Sequence, residues 1–218
     1  SKDLLYSRPL APSLGYNSVD ENVGELKNTG VEIDLKGTLI HTRDFMWRLG
    51  LNLTHYKNVV TDLPLKDMPV NGVHKLAVGR SVYGFYMKKW AGVDPENGDP
   101  LWYKNVKDAN NKITGRTTTN DYAQADYYYT GKSSLPKVYG GFNTAFSYKG
   151  FELSTIFAYS IGNYIVDRDV TMLWHNGSST GRAWSTEILN RWTPENRYTD
   201  VPALKTVSNS WNANRSCG

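Results

Sequence analysis

The sequence predicts an all-β chain that is part of a large antiparallel transmembrane β-barrel, with long extracellular loops and a short loop helix. Three observations lead there: long apolar–polar alternation, two closely spaced hairpins, and very unequal connections between strands. In FMWRLGLNLTHYK (residues 45–57), Phe45, Trp47, Leu49, Leu51 and Leu53 fall on one face of an extended chain. Met46, Arg48, Gly50, Asn52 and Thr54 fall on the other. Successive side chains alternate across a strand, so this segment has one apolar and one polar surface. A soluble sandwich would bury the apolar face under a second sheet. A barrel would turn it to lipid and line its lumen with the polar face.

The elements follow in order. The first strand is Gly30 to Leu39, with Val31, Ile33, Leu35 and Leu39 opposed to Glu32, Asp34, Lys36 and Thr38. A short loop through His41-Thr42-Arg43 would set Leu35 against Leu49 and Ile33 against Leu51. This gives a hairpin over 28–57. A second hairpin covers 138–161. Its strands are Val138–Tyr148, with Val138, Phe142, Phe146 and Tyr148 on one face, and Phe151 to about Ser160, with Phe151, Leu153, Phe157 and Tyr159. Only Lys149-Gly150 separates them, a length suited to a tight turn. That register pairs Tyr148 with Phe151, Phe146 with Leu153 and Phe142 with Phe157, keeping both apolar sets on one side. It also lays the Tyr159 ring over Gly140.

Each strand exceeds the globular mode of about 5–6 residues and matches the about 9–11 needed to cross a bilayer at a tilt. Between the hairpins runs a long segment, 58–137, expected to be an extracellular loop. Short turns at one end and long loops at the other favour the barrel. Within that segment Asp94-Pro-Glu-Asn-Gly-Asp-Pro100 and Asp108-Ala-Asn-Asn111 read as turns, with Leu101-Trp102-Tyr103 a short strand. The last stretch, 162–218, is expected to be a loop with a short helix at Ala183–Trp192, where Trp184, Ile188 and Trp192 recur every four residues before Thr193-Pro194.

Bulk properties fit this. Of 218 residues 39% are hydrophobic, with 15 Tyr and 7 Trp. The mean hydropathy is −0.53, and no apolar run approaches the length of a spanning helix. The net charge of +4 comes from dispersed Lys and Arg, without the concentrated basic footprint of a nucleic-acid-binding protein. A single cysteine, Cys217, has no partner for an internal disulfide. SKDLLYSRPL lacks the apolar core of a signal peptide.

An ordered set of motifs carries a resemblance. They are Asn22-Val-Gly-Glu-Leu-Lys-Asn-Thr-Gly-Val-Glu32, Gly84-Phe-Tyr86 with Ala91-Gly-Val-Asp-Pro-Glu-Asn-Gly-Asp-Pro100, and Gly131…Pro136 leading to Gly140-Gly-Phe142. Phe146-Ser-Tyr-Lys-Gly-Phe151 and Leu189-Asn-Arg-Trp-Thr-Pro-Glu-Asn196 complete it. Together they resemble TonB-dependent outer-membrane transporters of the SusC/RagA type, along 1–218 as a partial barrel with the plug domain absent. The resemblance implies import of oligosaccharides or peptides through the outer membrane, with a SusD-like surface lipoprotein as lid. It also implies energy from the TonB system, engaged through an N-terminal region that this chain lacks.

Catalytic constellations are missing. His41, His55, His74 and His175 are scattered without zinc spacing, and Gly79-Arg-Ser-Val-Tyr-Gly84 lacks the lysine of a phosphate loop. No cofactor is expected. Asp94, Glu96, Asn97 and Asp99 could gather oxygen ligands for calcium, but they miss the EF-hand spacing and read better as a turn. Loop aromatics are the best ligand-binding candidates: Trp90, Trp102, Tyr127, Tyr128, Tyr129 and Trp174. Their flat faces suit sugar rings and peptide side chains, with ordinary packing as the competing reading. Phe45, Trp47, Leu49, Leu51, Leu53, Phe142, Phe146, Leu153 and Phe157 are expected to face lipid. Arg48, Asn52, Asn143 and Glu152 are expected to line the lumen. The rival reading is a soluble, lectin-like β-sandwich that binds through the same aromatics and buries Leu49, Leu51, Phe142 and Phe157.

Overall fold

The computed structural model describes residues 5–9, 15, 18–22, 24–63, 67–175 and 181–205. Cys217 lies outside the described residues. In chain order the strands are β1 (Leu5–Pro9), β2 (Ser18–Asn22), β3 (Glu25–His41), β4 (Phe45–Asp62), β5 (Asp67–Asn71), β6 (His74–Ala77) and β7 (Gly84–Lys88). There follow β8 (Trp90–Val93), β9 (Pro100–Lys107), β10 (Ile113–Thr119), β11 (Tyr127–Ser133), β12 (Val138–Tyr148) and β13 (Phe151–Ile161), and, among the described residues, one α-helix, α1 (Arg168–Leu173). The chain divides into two compact units, Ser1–Phe85 with Gly131–Ile165, and Tyr86–Thr130 with Val166–Gly218.

The first unit is built on an antiparallel sheet ordered β13-β12-β4-β3. β12 pairs with β4 although the whole stretch 63–137 intervenes, so the sheet keeps the nearest-neighbour, up-and-down order of a barrel wall. Both hairpin turns lie at one end, where the Lys149 amide donates to the Asp44 carbonyl at 3.0 Å. The strands β3 and β4 are long, 17 and 18 residues.

The second hairpin has the register that its two-residue turn dictates: Tyr148 opposes Phe151, Phe146 opposes Leu153, Phe142 opposes Phe157, and Gly140 opposes Tyr159. Lys149 and Gly150 take φ of 45° and 90°, the positive pair that matches strand twist in a tight hairpin. The first hairpin differs from expectation. Leu35 opposes Leu51 and Ile33 opposes Leu53, two residues further along β4 than the loop length suggested. The Thr42 amide donates to the Phe45 carbonyl, placing the turn later, and a bulge between Thr38 and Ile40 absorbs one residue. The displacement is an even number, so the face of every side chain is preserved.

That face carries cross-strand aromatic pairs. Phe142 and Phe157 stack at 4.4 Å between ring centres, and Trp47 and Phe146 at 5.5 Å. Trp47 Nε1 donates to Thr144 Oγ1 at 2.9 Å, which satisfies the only polar atom of that indole. Leu51, Phe142 and Phe157 remain 37%, 38% and 49% exposed, and Phe45, Trp47, Leu49, Leu53 and Phe146 are only partly buried. This overturns the sandwich reading, which needed a second sheet of this chain across these residues. The opposite face is polar and self-paired: Arg48 Nη2 meets Glu152 Oε1 at 3.0 Å, and Lys36 Nζ meets Asp34 Oδ2 at 3.1 Å.

At Gly140 the pairing of β12 with β4 leaves no room for a side chain. A Cβ there would stand 2.1 Å from the Asn52 carbonyl oxygen and 2.8 Å from the Tyr159 hydroxyl, and that hydroxyl donates to the same carbonyl at 2.9 Å. The ring covers the bare backbone, as the register predicts.

Beyond the sheet, β4 runs into a small core of Val60, Leu63 and Leu76, flanked by Leu26 and Val82. Buried Asn58 anchors it. Its Nδ2 donates to Asn28 Oδ1 at 2.7 Å, and its Oδ1 accepts from the Val82 amide and Ser81 Oγ. Every hydrogen-bonding direction but one of this amide is therefore used inside a dry site. Replacing Asn58 by Leu is expected to cost about 2–3 kcal/mol, because it leaves the Val82 amide and Asn28 without their partner. Chemical unfolding of the protein in detergent would read it as a lower midpoint.

In the second unit β9 is flanked by β8 and β10. The Asp94–Pro100 segment forms the expected turn: the Gly98 amide donates to the Asp94 carbonyl, and Asp94 Oδ1 accepts from the Glu96 amide. The helix expected at Ala183–Trp192 is corrected. Only Thr186–Asn190 is helical, as a short 3-10 turn capped by Ser185, and the α-helix is α1, capped by Asp167. Tertiary bonds override the four-residue spacing. Trp184 donates to His175 Nδ1, whereas Trp192 donates its indole N–H to the Pro95 carbonyl and its amide to Val201.

Candidate functional site

Two surfaces hold the residues singled out from sequence. The first is the polar face of the main sheet, which carries a hollow of about 540 Å³ bounded by Lys36, Arg48, Gly50, Asn143, Ser154 and Ile156. Asn143 lies over Gly50, whose would-be Cβ falls 2.0 Å from Asn143 Oδ1. Asn52 Oδ1 accepts from the Gly141 amide at 2.8 Å. Arg48, Asn52, Asn143 and Glu152 thus share one wall, whose ion pair is solvent-exposed and therefore weak.

The second is a run of aromatic rings in the other unit. Trp90 meets Trp102 edge-on at 5.7 Å, and Trp102 meets Tyr122 at 5.1 Å. Tyr86 stacks on Tyr127 at 5.5 Å and packs against Tyr129 at 4.7 Å. Lys88 joins the two groups. Its Nζ sits 4.2 Å from the Tyr122 ring centre and 5.3 Å from that of Tyr127, and donates to the Tyr122 carbonyl. Lys88 is buried, and burial pushes its ammonium below the usual lysine range, with Asp121 and Asp126 holding it partly up.

The predicted ligand residues divide accordingly. Trp102 is fully buried, the centre of this packing, and offers no surface to a ligand. Tyr127 is 44% exposed although it stacks on Tyr86. Trp90, Tyr128, Tyr129 and Trp174 are partly buried. Tyr128 donates its hydroxyl to Asn105 Oδ1 at 2.8 Å under the Arg116 guanidinium, and burial raises its phenol above the ordinary value. Trp174 closes α1, its amide donating to the Val170 carbonyl. Sequence reasoning missed Tyr86, Lys88 and Tyr122. The available signal was the alternation of Tyr86 and Lys88, which puts both on one face of β7, whereas Trp90 opens β8 in a different sheet.

The turn acids have protein partners. Asp99 Oδ2 accepts from Asn120 Nδ2 at 2.8 Å, and its Oδ1 meets Lys205 Nζ at 2.5 Å. Asn97 donates to Asp94 Oδ2. Three of the histidines have packing partners: His55 Nδ1 lies 2.5 Å from the Lys137 carbonyl, His74 stacks on Phe85, and His175 meets Trp184.

Lys88 leads to a pH prediction. Its folded pKa lies below the unfolded value of 10.5, so between the two the unfolded chain holds more protons and stability rises with pH. Lys88→Met should remove that rise, a slope of at most about 1.4 kcal/mol per pH unit. Unfolding midpoints of both forms across the alkaline range would measure it.

No protein-family profile matches the chain. Among curated proteins it is similar to TonB-dependent receptor P26 of Formosa agariphila, 30% identical over 93% of this chain, and to TonB-dependent receptor P3 of the same organism, 28% identical over 93%. TonB-dependent receptor SusC of Bacteroides thetaiotaomicron is 27% identical over 75% of the chain. The chain spans 21% of the length of the two Formosa receptors and 17% of SusC. Among solved structures it is similar to a chain of the RagAB peptide transporter, with a TM-score of 0.82 and 30% identity over 97% of this chain and 23% of that one. The closed-closed state of the RagAB peptide importer gives 0.80. Motifs, strand order and these similarities agree: over almost its whole length the chain matches a fragment of the SusC/RagA type of TonB-dependent outer-membrane transporter, a stretch of that β-barrel.

Proposed function

We propose that this chain is a section of the barrel of an outer-membrane importer of oligosaccharides or peptides, driven by the TonB system and paired with a SusD-like surface lipoprotein. The observation that supports it best is the main sheet. Its four long strands keep nearest-neighbour order, with one continuous apolar face left open. From Phe45 to His55 that face extends about 34 Å along β4 at ~3.4 Å per residue. Tilted by ~40°, it covers about 25 Å, the height of a barrel's apolar band. Phe45, Trp47, Leu49, Leu51, Leu53, Phe142, Phe146, Leu153 and Phe157 would meet lipid, and the wall of Arg48, Asn52, Asn143 and Glu152 would meet the lumen. The residues position and bind, and make no bonds.

Nitroxide labels at positions 51, 52, 157 and 152 of the intact protein in lipid test this reading. Oxygen should reach 51 and 157, and a water-soluble nickel chelate should reach 52 and 152. The reverse pattern would defeat it. For ligand contact the exposed ring of Tyr127 is the strongest candidate, with Trp90, Tyr128, Tyr129 and Trp174 behind it. Tyr127→Ala should weaken uptake of the transported nutrient by roughly five- to tenfold, the worth of one aromatic contact. Growth of the producing cell on a panel of oligosaccharides and peptides would measure that.

A further inference from the structure

In the second unit β8 stands at one side of its sheet, paired with β9 alone among the described strands. Against it lies a groove of about 280 Å³, with Gly92, Val93 and Pro95 on one wall and residues 197–200 on the other. The walls are tied together, because Trp192 donates its indole N–H to the Pro95 carbonyl and its amide to Val201. Thr199 Oγ1 donates to the Asn190 carbonyl at 2.6 Å and holds the second wall in place. Gly92 has φ of 110° and nothing within 4 Å of where a Cβ would stand, so the β8 backbone can be approached closely. Tyr198 is 92% exposed beside this edge. Arg197 is steered by the Pro194 carbonyl, 3.2 Å from its Nε, and by Glu96, 3.8 Å from its guanidinium. Asp200 provides an exposed charge of the opposite sign on the same wall.

We propose that this groove is a subsite for the main chain of an extended oligopeptide, which adds as a strand to β8. An unpaired sheet edge presents backbone donors and acceptors at strand spacing, and only another peptide backbone matches that row. Tyr198 takes an apolar side chain against its ring, and Arg197 and Asp200 meet acidic and basic side chains. A neutral oligosaccharide could hydrogen-bond to both side chains but would not match the row of backbone donors and acceptors along β8. The volume lies below the about 300–1,000 Å³ of a complete small-molecule site, so the groove holds a short part of a longer ligand. Main-chain pairing is tolerant of sequence, which suits the uptake of mixed peptides. The proposal rests on the importer reading and selects peptide over sugar as its substrate class.

The test is calorimetric titration of the intact transporter in detergent. The probes are a leucine-centred pentapeptide carrying one lysine, its backbone N-methylated counterpart, and maltopentaose. The plain peptide should bind, N-methylation should weaken it at least tenfold, and maltopentaose should not compete. Tyr198→Ala should weaken the peptide roughly three- to tenfold, and Asp200→Lys should turn the preference toward a glutamate-bearing pentapeptide. Equal binding of plain and methylated peptides, a stronger response to maltopentaose, or indifference to both variants would overturn the assignment. Membrane insertion and energy-dependent uptake, measured alongside, separate the two ideas. If both persist while the peptide ignores this groove, the subsite alone is wrong. If both are lost in the unaltered protein, the importer reading fails.

Discussion

Leu51→Arg is expected to lower the folding free energy of the barrel in lipid by about 2–4 kcal/mol, the cost of a guanidinium near the bilayer midplane. Position 51 lies at the centre of the main sheet, between Leu35 on β3 and Phe142 on β12. Its neighbour on the other face is the control. Asn52→Arg puts the same charge on the polar face that carries the exposed Arg48–Glu152 pair, and on the proposed reading should cost well under 1 kcal/mol apart from the lost bond to the Gly141 amide. Reversible unfolding of the protein in lipid vesicles by denaturant would give both values. A pair of equal costs would contradict the assignment of the two faces.

The second large effect is expected at Gly140. A Cβ 2.1 Å from a backbone oxygen has no flexible neighbour to displace, so β12 must move away from β4. Gly140→Val should therefore cost about 3 kcal/mol or more, above the usual range for overpacking because backbone pairing is lost with it. Tyr159→Phe, which removes only the hydroxyl that donates to Asn52, should cost about 1 kcal/mol. Gel mobility of unheated against heated protein, which separates folded from unfolded barrels, ranks the two variants directly. The Asp94–Pro100 turn offers a milder parallel. Gly98 has φ of 75° and a would-be Cβ 2.7 Å from the Trp192 ring and the Ala203 Cβ. Gly98→Ala should cost about 1–3 kcal/mol and loosen the contact between residues 94–100 and 192–203.

How far these features can be read from sequence depends on where the deciding contacts lie. The second hairpin was legible to the residue, because a two-residue turn leaves one register that keeps Phe142, Phe146, Leu153 and Phe157 together. The first was legible only to its faces. The bulge near Leu39 adds a residue that no side-chain pattern announces. The pattern at Trp184, Ile188 and Trp192 imitated a helix because two large residues with separate tertiary partners, Trp184 and Trp192, fell at that spacing around Ile188. Their partners, His175 and Pro95, are 9 and 97 positions away. Trp102 was picked for its flat face, but burial is set by what surrounds a ring, and here Trp90 and Tyr122 enclose it. Lys88 escaped notice because a lysine beside a second one, Lys89, reads as a solvated charge until the rings around it are known.

The links between β4 and β12 bear on how fast such a wall can assemble. Asn58 holds Val82, the Tyr83 carbonyl accepts from the Ser134 amide, and β12 begins four residues later at Val138. With those bonds made, the distance in chain steps that separates the two partner strands collapses from the whole intervening stretch to a few short hops. Closing a short ring of contacts loses less chain freedom than closing a long one, and folding rates track that quantity. The bonds at Asn58 and Ser134 therefore shorten the loop that pairing β12 with β4 has to close, which lowers the entropic cost of joining these two strands.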